Sequence, residues 1–312
     1  MAKLLCIGEI VVEMVAEEVG QAADSAGNWV GPFASGAPAI LADQAALCGA
    51  DVTLLGTVGK DAFGDCCLQK LEADGVDVSR IEIDPTRSTG VTFVRYFEDG
   101  SRSFIFHIAD SAAGRFPLDD LDAALEGIEC VHIMGSSSFS ESAVLALAAV
   151  SRAAEERGLA ISFDPNIRKE MLTDPTFADA LRGILHRSSI VLASEGELPL
   201  LMDVEDDLTG ARHLLAEGAK IVVLKRGPKG SMLVLPDADP LEIPTADVPV
   251  VDPTGAGDCF GGTFLSLHLQ GWTPQEAARY ATLAGEHSIQ YRGPMSGNTG
   301  VAGLKEYEAQ MA

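Results

Sequence analysis

The chain has 312 residues, 47% of them hydrophobic, which is enough to bury the core of one sizeable α/β domain with a small addition. Acidic residues outnumber basic residues by 46 to 22, and the formal net charge of −24 disfavours binding to nucleic acid or to an anionic membrane. No run of about 18 apolar residues occurs, so the sequence predicts no membrane-spanning helix.

Cysteine usage and the start of the chain bear on the cell compartment. The six cysteines are scattered without a C-x-x-C pair, which favours buried, reduced thiols in a cytoplasmic protein over a disulfide framework or a metal site. Glu9 and Glu13 interrupt the apolar start of the sequence, and no small-residue cleavage site follows it. We therefore interpret this segment as a first β-strand and not as a signal peptide.

Apolar segments of strand length alternate with amphipathic segments along most of the chain. The predicted strands lie at 3–9, 52–59, 130–135, 159–164, 189–194 and 220–227. The predicted helices are Ala39–Cys48, Phe63–Asp74, Ser142–Arg157, Asp206–Glu217 and Pro274–Gln290. The alternation predicts an α/β fold over 1–312, with a mostly parallel central sheet flanked by helices. Ligands of such sheets bind at the carboxyl ends of the strands.

One part of the chain departs from this alternation. Two β-rich runs flank Glu98-Asp99-Gly100, which is a hairpin signal, and similar runs lie near the start of the chain. These segments, about 10–34 and 88–110, predict a small antiparallel β lid that covers a site. An ordinary hairpin at the edge of the main sheet is the alternative.

The stretch VDPTGAGDCFGG, residues 251–262, carries four glycines and leads into a helix with Phe260, Phe264 and Leu267 on one face. Backbone N–H groups of such a loop, together with the positive end of the helix dipole, hold an anion. The spacing excludes a P-loop, and Phe260 stands where a dinucleotide fingerprint needs its third glycine. The sequence therefore predicts an anion site of another kind, with the carboxylate of Asp258 at its mouth.

The segment DPTGAGDCFGG resembles the carboxyl-terminal signature of the ribokinase-like, or PfkB, family of carbohydrate kinases. Other segments resemble motifs of this family and follow its order from residue 8 to residue 262: GEIVVE, SGAPAILADQAALCGADVTLLGTVGKDAFG, VDVSR, FDPNIR, SEGE and LKRGPKG. The D-x-N-x-R pattern is similar to that of fructokinases and 2-keto-3-deoxygluconate kinases. The resemblance implies a kinase that uses ATP and Mg²⁺ to phosphorylate a primary hydroxyl of a sugar.

The resemblance also implies roles for the residues of the anion loop. Asp258 would accept the proton of the attacking hydroxyl, while the backbone N–H groups of Gly255, Ala256 and Gly257 would stabilise charge on the transferred phosphoryl group. A helix cap is the alternative role for Asp258. The residues that match sugar-binding positions, or lie on the lid near them, are Glu13, Gly36, Ala37, His107, Asp110, Asn166 and Arg168.

The identity of the sugar depends on the charges around it. Glu13, Asp110 and Asp258 are acids that suit hydroxyl groups and disfavour a carboxylate, so we expect a neutral ketohexose of the fructose or tagatose kind. Arg102 is expected at the tip of the lid hairpin, away from the pocket. One alternative is a 2-keto-3-deoxygluconate kinase, with Arg168 on the carboxylate. An alternative of another class is a non-catalytic regulator that binds nucleotide or sugar.

Two positions depart from the family pattern. Ile40 stands where the amino-terminal signature has an asparagine that often contacts the sugar, and this exchange is expected to shift selectivity among ketoses. Ser194 replaces the asparagine of an N-x-x-E motif, which bears on the coordination of a metal-bound water.

Nucleotide and cation contacts complete the implied site. The predicted nucleotide-side residues are Lys225, Arg226, Gly227, Gly230 and Ala284. A solvated basic turn is the alternative for the charged residues of this set, and core packing is the alternative for Ala284. Glu197 is expected to hold Mg²⁺ through water, or else to be a carboxylate at a helix start.

Two further expectations follow from the resemblance. Asp252 matches an acid that begins a K⁺ site in many relatives, and its alternative role is to brace the loop. The expected partners are ATP and the sugar, with a homodimer through the lid as a further expectation.

Overall fold

The computed structural model describes residues 3–167, 172 and 174–311, and these contain the strands and helices that follow. The strands are β1 (Lys3–Ile7), β2 (Val11–Ala16), β3 (Trp29–Ser35), β4 (Asp51–Gly59), β5 (Ile81–Asp84), β6 (Gly90–Tyr96), β7 (Arg102–His107), β8 (Cys130–Met134), β9 (Ala160–Asp164), β10 (Ile190–Ser194), β11 (Ile221–Lys225), β12 (Ser231–Val234) and β13 (Leu241–Ile243). The helices are α1 (Ala37–Leu47), α2 (Ala62–Ala73), α3 (Leu121–Ala124), α4 (Glu141–Glu156), α5 (Pro175–Arg187), α6 (Leu198–Leu201), α7 (Asp207–Glu217), α8 (Ala256–Leu269), α9 (Pro274–Ser288) and α10 (Val301–Met311).

Nine strands form the main sheet, in the order β13-β12-β11-β10-β9-β8-β1-β4-β5. All neighbouring pairs from β11 to β5 are parallel, and β12 and β13 add an antiparallel edge. The six predicted strands are all present and form the contiguous block from β11 to β4. This confirms the predicted mostly parallel sheet.

The main sheet is buried on both faces, which explains why its strands are continuous apolar runs. In β1, Leu4 and Cys6 pack into one cluster with residues of α1, α8 and α9. Leu5 and Ile7 pack into a second cluster with residues of α4, α5 and α7. Because successive side chains of a strand point to opposite faces, each apolar residue of β1 contributes to one of the two helix layers.

The second sheet is the predicted lid, and its strand order is β3-β2-β6-β7. The hairpin pairs β2–β3 and β6–β7 are antiparallel, whereas β2 and β6 pair in parallel and join the two chain segments. The lid strands cover 11–35 and 90–107, close to the predicted 10–34 and 88–110. The predicted small sheet is confirmed, with the parallel pair at its centre as a detail that the hairpin signal did not contain.

The five predicted helices are present as α1, α2, α4, α7 and α9, and the glycine-rich stretch leads into α8 as expected. Helices α3, α5, α6 and α10 and the short strands β5, β12 and β13 were not predicted. The side chain of Asp174 caps α5 by accepting from Thr176 N, and Pro175 follows in the first turn. That pair of residues is a sequence signal that could have located α5. Within the described residues, no helix is both long and apolar enough to cross a membrane.

Candidate active site

The glycine-rich loop and the start of α8 lie opposite the carboxyl ends of β9 and β11. Gly255 adopts a left-handed backbone conformation with φ of 85° immediately before α8. A Cβ atom at this position would lie 2.8 Å from Pro294 O and 3.3 Å from Ile40 Cγ2, so only glycine fits here without strain. No side chain caps the first turn of α8 in the described structure. The N–H groups of Ala256 and Gly257 are therefore suited to binding an anion.

Asp258 occupies the first turn of α8, and its side chain is buried. Asn166 Nδ2 lies 3.5 Å from Asp258 Oδ1. Burial raises the pKa of Asp258 well above its usual value, while Lys225 lowers it and Asp164 raises it further. The side chain does not cap the helix, so the structure favours a chemical role over the capping alternative.

Asn166 follows β9 and adopts a left-handed conformation with φ of 39°, which is uncommon outside glycine. This conformation accompanies the placement of its amide beside Asp258. Strained backbone of this kind is concentrated at functional sites, which agrees with the predicted role of Asn166. Arg168, predicted in the same motif, lies outside the described residues.

Lys225 ends β11 and forms an ion pair with Asp164, which ends β9. The side chain of Lys225 is 11% exposed and that of Asp164 is fully buried. The Nζ atom lies 3.4 Å from the position that a Cβ of Gly257 would occupy, directly behind the anion loop. The alternative of a solvated basic turn is therefore wrong for Lys225.

Glu197 joins the loop after β9 to the end of β10. Its carboxylate accepts hydrogen bonds from Ser194 N at 2.7 Å and from Ile167 N at 3.0 Å. Burial, and then the negative charge of Asp164, raise the pKa of Glu197 to about 7, against the effect of Lys225. A carboxylate oxygen is a ligand that Mg²⁺ accepts. In the part of the chain that the structure describes, no three His, Cys, Asp or Glu side chains are grouped to hold a metal ion directly. That Glu197 holds Mg²⁺ through water stays a prediction.

Asp252 braces the loop from the other side and is almost fully buried. Its Oδ1 accepts from Thr254 N at 3.0 Å and from the hydroxyl of Tyr96, and its Oδ2 accepts from Gly293 N at 3.0 Å. Since a carboxylate offers about four lone-pair sites, these bonds leave room for one further ligand. The structure therefore shows the bracing role, and the K⁺ site stays a prediction.

Glu13 lies on β2 of the lid and is 2% exposed. Its Oε1 is buried without a hydrogen-bond partner among the described residues. Burial raises the pKa of Glu13 to about 8, and the negative charges of Asp252 and Asp258 add to the rise, while Arg102 opposes it. An unpartnered buried acceptor beside the anion loop fits a ligand hydroxyl, in line with the predicted role of Glu13.

Arg102 lies at the site, contrary to the expectation from its place in the hairpin. It pairs with Tyr96 across the lid, and its Nη1 lies 3.4 Å from Thr254 Oγ1. Its positive charge lowers the pKa of both Glu13 and Asp258. The expectation was wrong because the tip of the lid folds down onto the glycine-rich loop, so a residue near the turn reaches the pocket.

Glu9 is a buried residue of the site to which the sequence assigned no role. Its carboxylate accepts from Ala37 N at 3.3 Å and from the hydroxyl of Ser137. Gly36 has φ of 107°, and a Cβ there would lie 2.3 Å from Glu9 O. Burial raises the pKa of Glu9 to about 7, although these hydrogen bonds lower it. Glu9 thus holds the loop of the predicted sugar-binding residues Gly36 and Ala37.

The remaining lid residues that were predicted to bind the sugar lie apart from this cluster. His107 ends β7, about 17 Å along the strand from Arg102. The alternation along β7 places His107 on the opposite face from Arg102, where its ring meets Phe93 edge to face. Asp110, three residues further along the chain, is exposed to solvent. This placement gives no support to a sugar contact from His107 or Asp110 within one chain.

The predicted nucleotide residues follow β11 and α8. Arg226 pairs with Glu242 at 3.1 Å, and the exposed Lys229 pairs with Glu195 at 2.8 Å. Gly227 and Gly230 both have positive φ and form a tight turn. Ala284 is buried in the core cluster on α9, as its packing alternative requires.

The cluster combines three chemical capacities. Free N–H groups at the start of α8 can stabilise a multiply charged anion. Asp258 is a carboxylate whose raised pKa suits a proton acceptor. Glu13 and Arg102 lie on the lid, which can cover a second ligand. Such a site suits transfer of an anionic group to a hydroxyl.

Comparisons with known proteins agree with this chemistry. A sequence model described as the pfkB family of carbohydrate kinases matches residues 1–299. A 2-dehydro-3-deoxygluconokinase of Thermoproteus tenax is 30% identical over 304 residues, which cover 94% of this chain and 90% of the relative. A fructokinase of Klebsiella pneumoniae is 28% identical, with 90% of each chain covered. The crystal structure of a ribokinase II candidate from E. coli, in complex with ATP and Mg²⁺, is 38% identical with a TM-score of 0.93, and covers 99% of this chain and 100% of its own.

Proposed function

Since the chain belongs to the pfkB family of carbohydrate kinases, we propose that it transfers the γ-phosphoryl group of ATP to a primary hydroxyl of a ketohexose. The observation that supports the proposal is that the buried Asp258 lies in the first turn of α8, which no side chain of the described residues caps. The base and the anion-binding N–H groups thereby lie on one helical turn, so the acceptor hydroxyl and the phosphoryl group meet there.

Asp258 accepts the proton of the sugar hydroxyl as that hydroxyl attacks. The N–H groups of Gly255, Ala256 and Gly257 stabilise the negative charge on the phosphoryl oxygens in the transition state. Asn166 holds the Asp258 carboxylate in place. Lid residues Glu13 and Tyr96 close over the acceptor and exclude water, which would otherwise compete as the phosphoryl acceptor.

Glu197 would hold Mg²⁺ through a water molecule, and the ion would neutralise phosphate oxygens. The E. coli structure in complex with ATP and Mg²⁺ supports the use of this ion by similarity. Asp252 would provide one oxygen to K⁺ as an activating ion. The loop from Gly227 to Gly230 would run along the nucleotide, with Arg226 and Ala284 on the same side.

A ketohexose is favoured by the acids that face the acceptor side of the pocket. Glu13 has a free buried oxygen that a hydroxyl can satisfy, whereas a carboxylate ligand would add one more acid to a pocket in which Asp252 and Asp258 already raise the pKa of Glu13. Ile40 packs against Gly255 and adds an apolar wall to this side. The similarity to fructokinases agrees with this choice.

A 2-keto-3-deoxygluconate kinase is the second candidate, and Arg102 is the observation that favours it. The guanidinium reaches the glycine-rich loop and faces Glu13 and Asp258, where it could pair with a substrate carboxylate. The relative from Thermoproteus tenax agrees with this candidate.

A coupled ADP assay with fructose, tagatose, psicose, sorbose and 2-keto-3-deoxygluconate separates the two. We expect the highest kcat/KM for a ketohexose. If the keto acid is preferred by roughly tenfold or more, about 1.4 kcal/mol, the ketohexose proposal is wrong. Arg102→Gln should then reduce kcat/KM for the acid alone, whereas Arg95→Gln, whose partner is Gln21 O on the lid, should not. If ATP is not consumed with any sugar of the panel, the result would instead support the non-catalytic regulator.

A further inference from the structure

The Asp164–Lys225 ion pair is buried directly behind the anion loop. Asp164 is fully buried and ends β9, and Lys225 is 11% exposed and ends β11. A buried ion pair is seldom retained for stability alone, because desolvation of the two charges offsets much of their attraction. Its position therefore calls for a role in the site.

The ammonium group of Lys225 adjoins the residue that precedes Asp258. Nζ lies 3.4 Å from the position that a Cβ of Gly257 would occupy, which is ordinary contact distance. Of the charged groups around Asp258, Lys225 has the largest effect. The Asp164 carboxylate fixes the ammonium at this point through its Oδ2.

We propose that Lys225, anchored by Asp164, is a positioning residue that favours the charged form of the buried Asp258 carboxylate, which is the form that accepts a proton. Burial by itself favours the protonated form of Asp258, which cannot act as a base. A cation that is fixed beside Gly257 by its ion pair with Asp164 counters this effect. The inference rests on the proposed role of Asp258 as the base.

Other charged and titratable groups face Asp258 from every element around it. They are Asp164 at the end of β9, Lys225 at the end of β11, Glu9 after β1, Glu13 on β2, Arg102 on β7 and the neighbouring Cys259 on α8. Among these, Arg102 is the second cation, but it is exposed and belongs to the lid. Lys225 is the cation that stays beside Asp258 whether or not the lid is closed.

This role differs from the contact with the nucleotide that the sequence predicted for Lys225. A nucleotide contact requires the ammonium to reach the phosphates, and its loss would raise KM for ATP. A positioning role requires only that the charge sit beside Asp258, and its loss would change the pH at which the enzyme works. The two roles therefore give different kinetic signatures.

The test uses Lys225→Met, which keeps the length of the side chain and removes its charge. This variant leaves the buried charge of Asp164 without a partner, which destabilises the fold. A double variant, Lys225→Met with Asp164→Asn, therefore removes both charges of the ion pair. The matched control is Lys220→Met, which removes an exposed lysine immediately before β11, at the opposite end of the strand from Lys225. Both site variants should lose activity mainly at low pH, with turnover at pH 6 falling about tenfold more than turnover at pH 9.

A second readout needs no activity. Carboxyl carbons of ¹³C-labelled aspartate are followed by NMR in the ligand-free protein, with Asp258→Asn used to assign the Asp258 signal. The titration of Asp258 should move to higher pH in both site variants, because Lys225 outweighs Asp164 in its effect on this group. The control Lys220→Met should leave this titration unchanged.

The outcomes separate the inference from the function on which it rests. An unmoved Asp258 titration in both site variants overturns the inference, even if turnover falls. A higher KM for ATP with an unchanged pH profile overturns it in favour of a nucleotide contact. Full activity of Asp258→Asn would overturn the proposed base, whereas a shifted titration would still establish the electrostatic coupling.

Discussion

At the scale of single residues, Asp258 is the side chain on which the proposed chemistry depends most. It is buried at the start of a helix, where an ordinary first-turn acid would lie exposed to solvent. Asp65 in the first turn of α2 is an exposed example of that ordinary kind. Burial at such a position is tolerated because a cation and an amide lie beside Asp258, which is typical of a functional carboxylate.

Replacing Asp258 by Asn should lower turnover by roughly 10² or more, because the amide cannot accept the proton of the hydroxyl. Binding of ATP, measured by calorimetry, should change little. Asp65→Asn, at the start of α2, is the control and should keep normal turnover. Near-normal turnover of Asp258→Asn would remove it from the role of base.

Replacing Glu13 by Gln should make the stability of the protein less dependent on pH. The pKa of Glu13 is raised from 4.5 to about 8 by burial, so the folded state keeps this proton where the unfolded state has lost it. The contribution of Glu13 to stability is full below about pH 4.5 and is lost as pH rises towards 8. Urea unfolding at pH 5, 6.5 and 8 should show a shallower fall for Glu13→Gln than for the wild type.

The exposed Glu17→Gln is the control for this experiment and should keep the wild-type slope. Glu9 and Asp43, whose pKa values burial raises to about 7, contribute to the remaining slope in all of these proteins. An equal slope in Glu13→Gln and the wild type would show that Glu13 is ionised in the folded protein at neutral pH.

The residues that the sequence could identify are those within one contiguous motif. Gly255, Ala256, Gly257 and Asp258 are adjacent in the chain, so their joint role can be inferred from spacing. Asp164 begins the D-x-N-x-R pattern and Glu9 lies in GEIVVE, but their contacts could not be found in this way because their partners are remote. Lys225 is 61 residues from Asp164, and Ser137 is 128 residues from Glu9.

At the scale of elements, the contact between the lid and the glycine-rich loop links substrate cover to the anion site. The Tyr96 hydroxyl donates to Asp252 and lies 3.0 Å from Thr254 Oγ1, while Arg102 reaches the same threonine. Both lid residues lie beside the hairpin turn and pair with each other across it. A shift of the hairpin tip would therefore break several contacts with the loop together.

Replacing Tyr96 by Phe should weaken closure of the lid, because one hydrogen bond to a buried carboxylate is lost. We expect KM for the sugar to rise by roughly tenfold or more, in line with the loss of a hydrogen bond to a charged group. Hydrogen exchange in β6 and β7 should become faster. Tyr307→Phe, which loses a hydrogen bond between α10 and Gln290, is the control. Unchanged exchange and KM in Tyr96→Phe would mean that the hydroxyl does not hold the lid.

The hydrophobic pattern of the sequence predicts strands and helices well where their burial is uniform, and poorly where they are short. The six central strands are apolar on both faces, and the hairpin has a turn signal, so each is visible in the sequence. Strands β5, β12 and β13 have three or four residues each, too few to establish a period. The parallel contact between β2 and β6 joins segments about 80 residues apart, and no local signal specifies it.

At the scale of the whole molecule, the negative net charge opposes the binding of the anionic ligand that the proposed site requires. The net charge of −24 repels anionic ligands, yet the proposed reaction brings ATP to an anion loop. The site counters this repulsion locally through the N–H groups at the start of α8. The predicted binding of ATP therefore depends on the fixed dipoles of this helix start, while the acidic outer surface opposes it.

The acidic surface should also make the folded protein more stable as salt is added. Like charges on a compact surface repel one another, and the screening length falls from about 30 Å at 0.01 M salt to about 3 Å at 1 M. We expect the melting temperature to rise by about 2 °C or more between 0.01 M and 0.5 M sodium chloride. The rise should shrink at pH 5, where carboxylates begin to take up protons. Choline chloride should act like sodium chloride, and a further rise in potassium chloride alone would support a K⁺ ion at Asp252. A melting temperature that stays constant or falls with every salt would show that repulsion among these acids does not limit the stability of the fold.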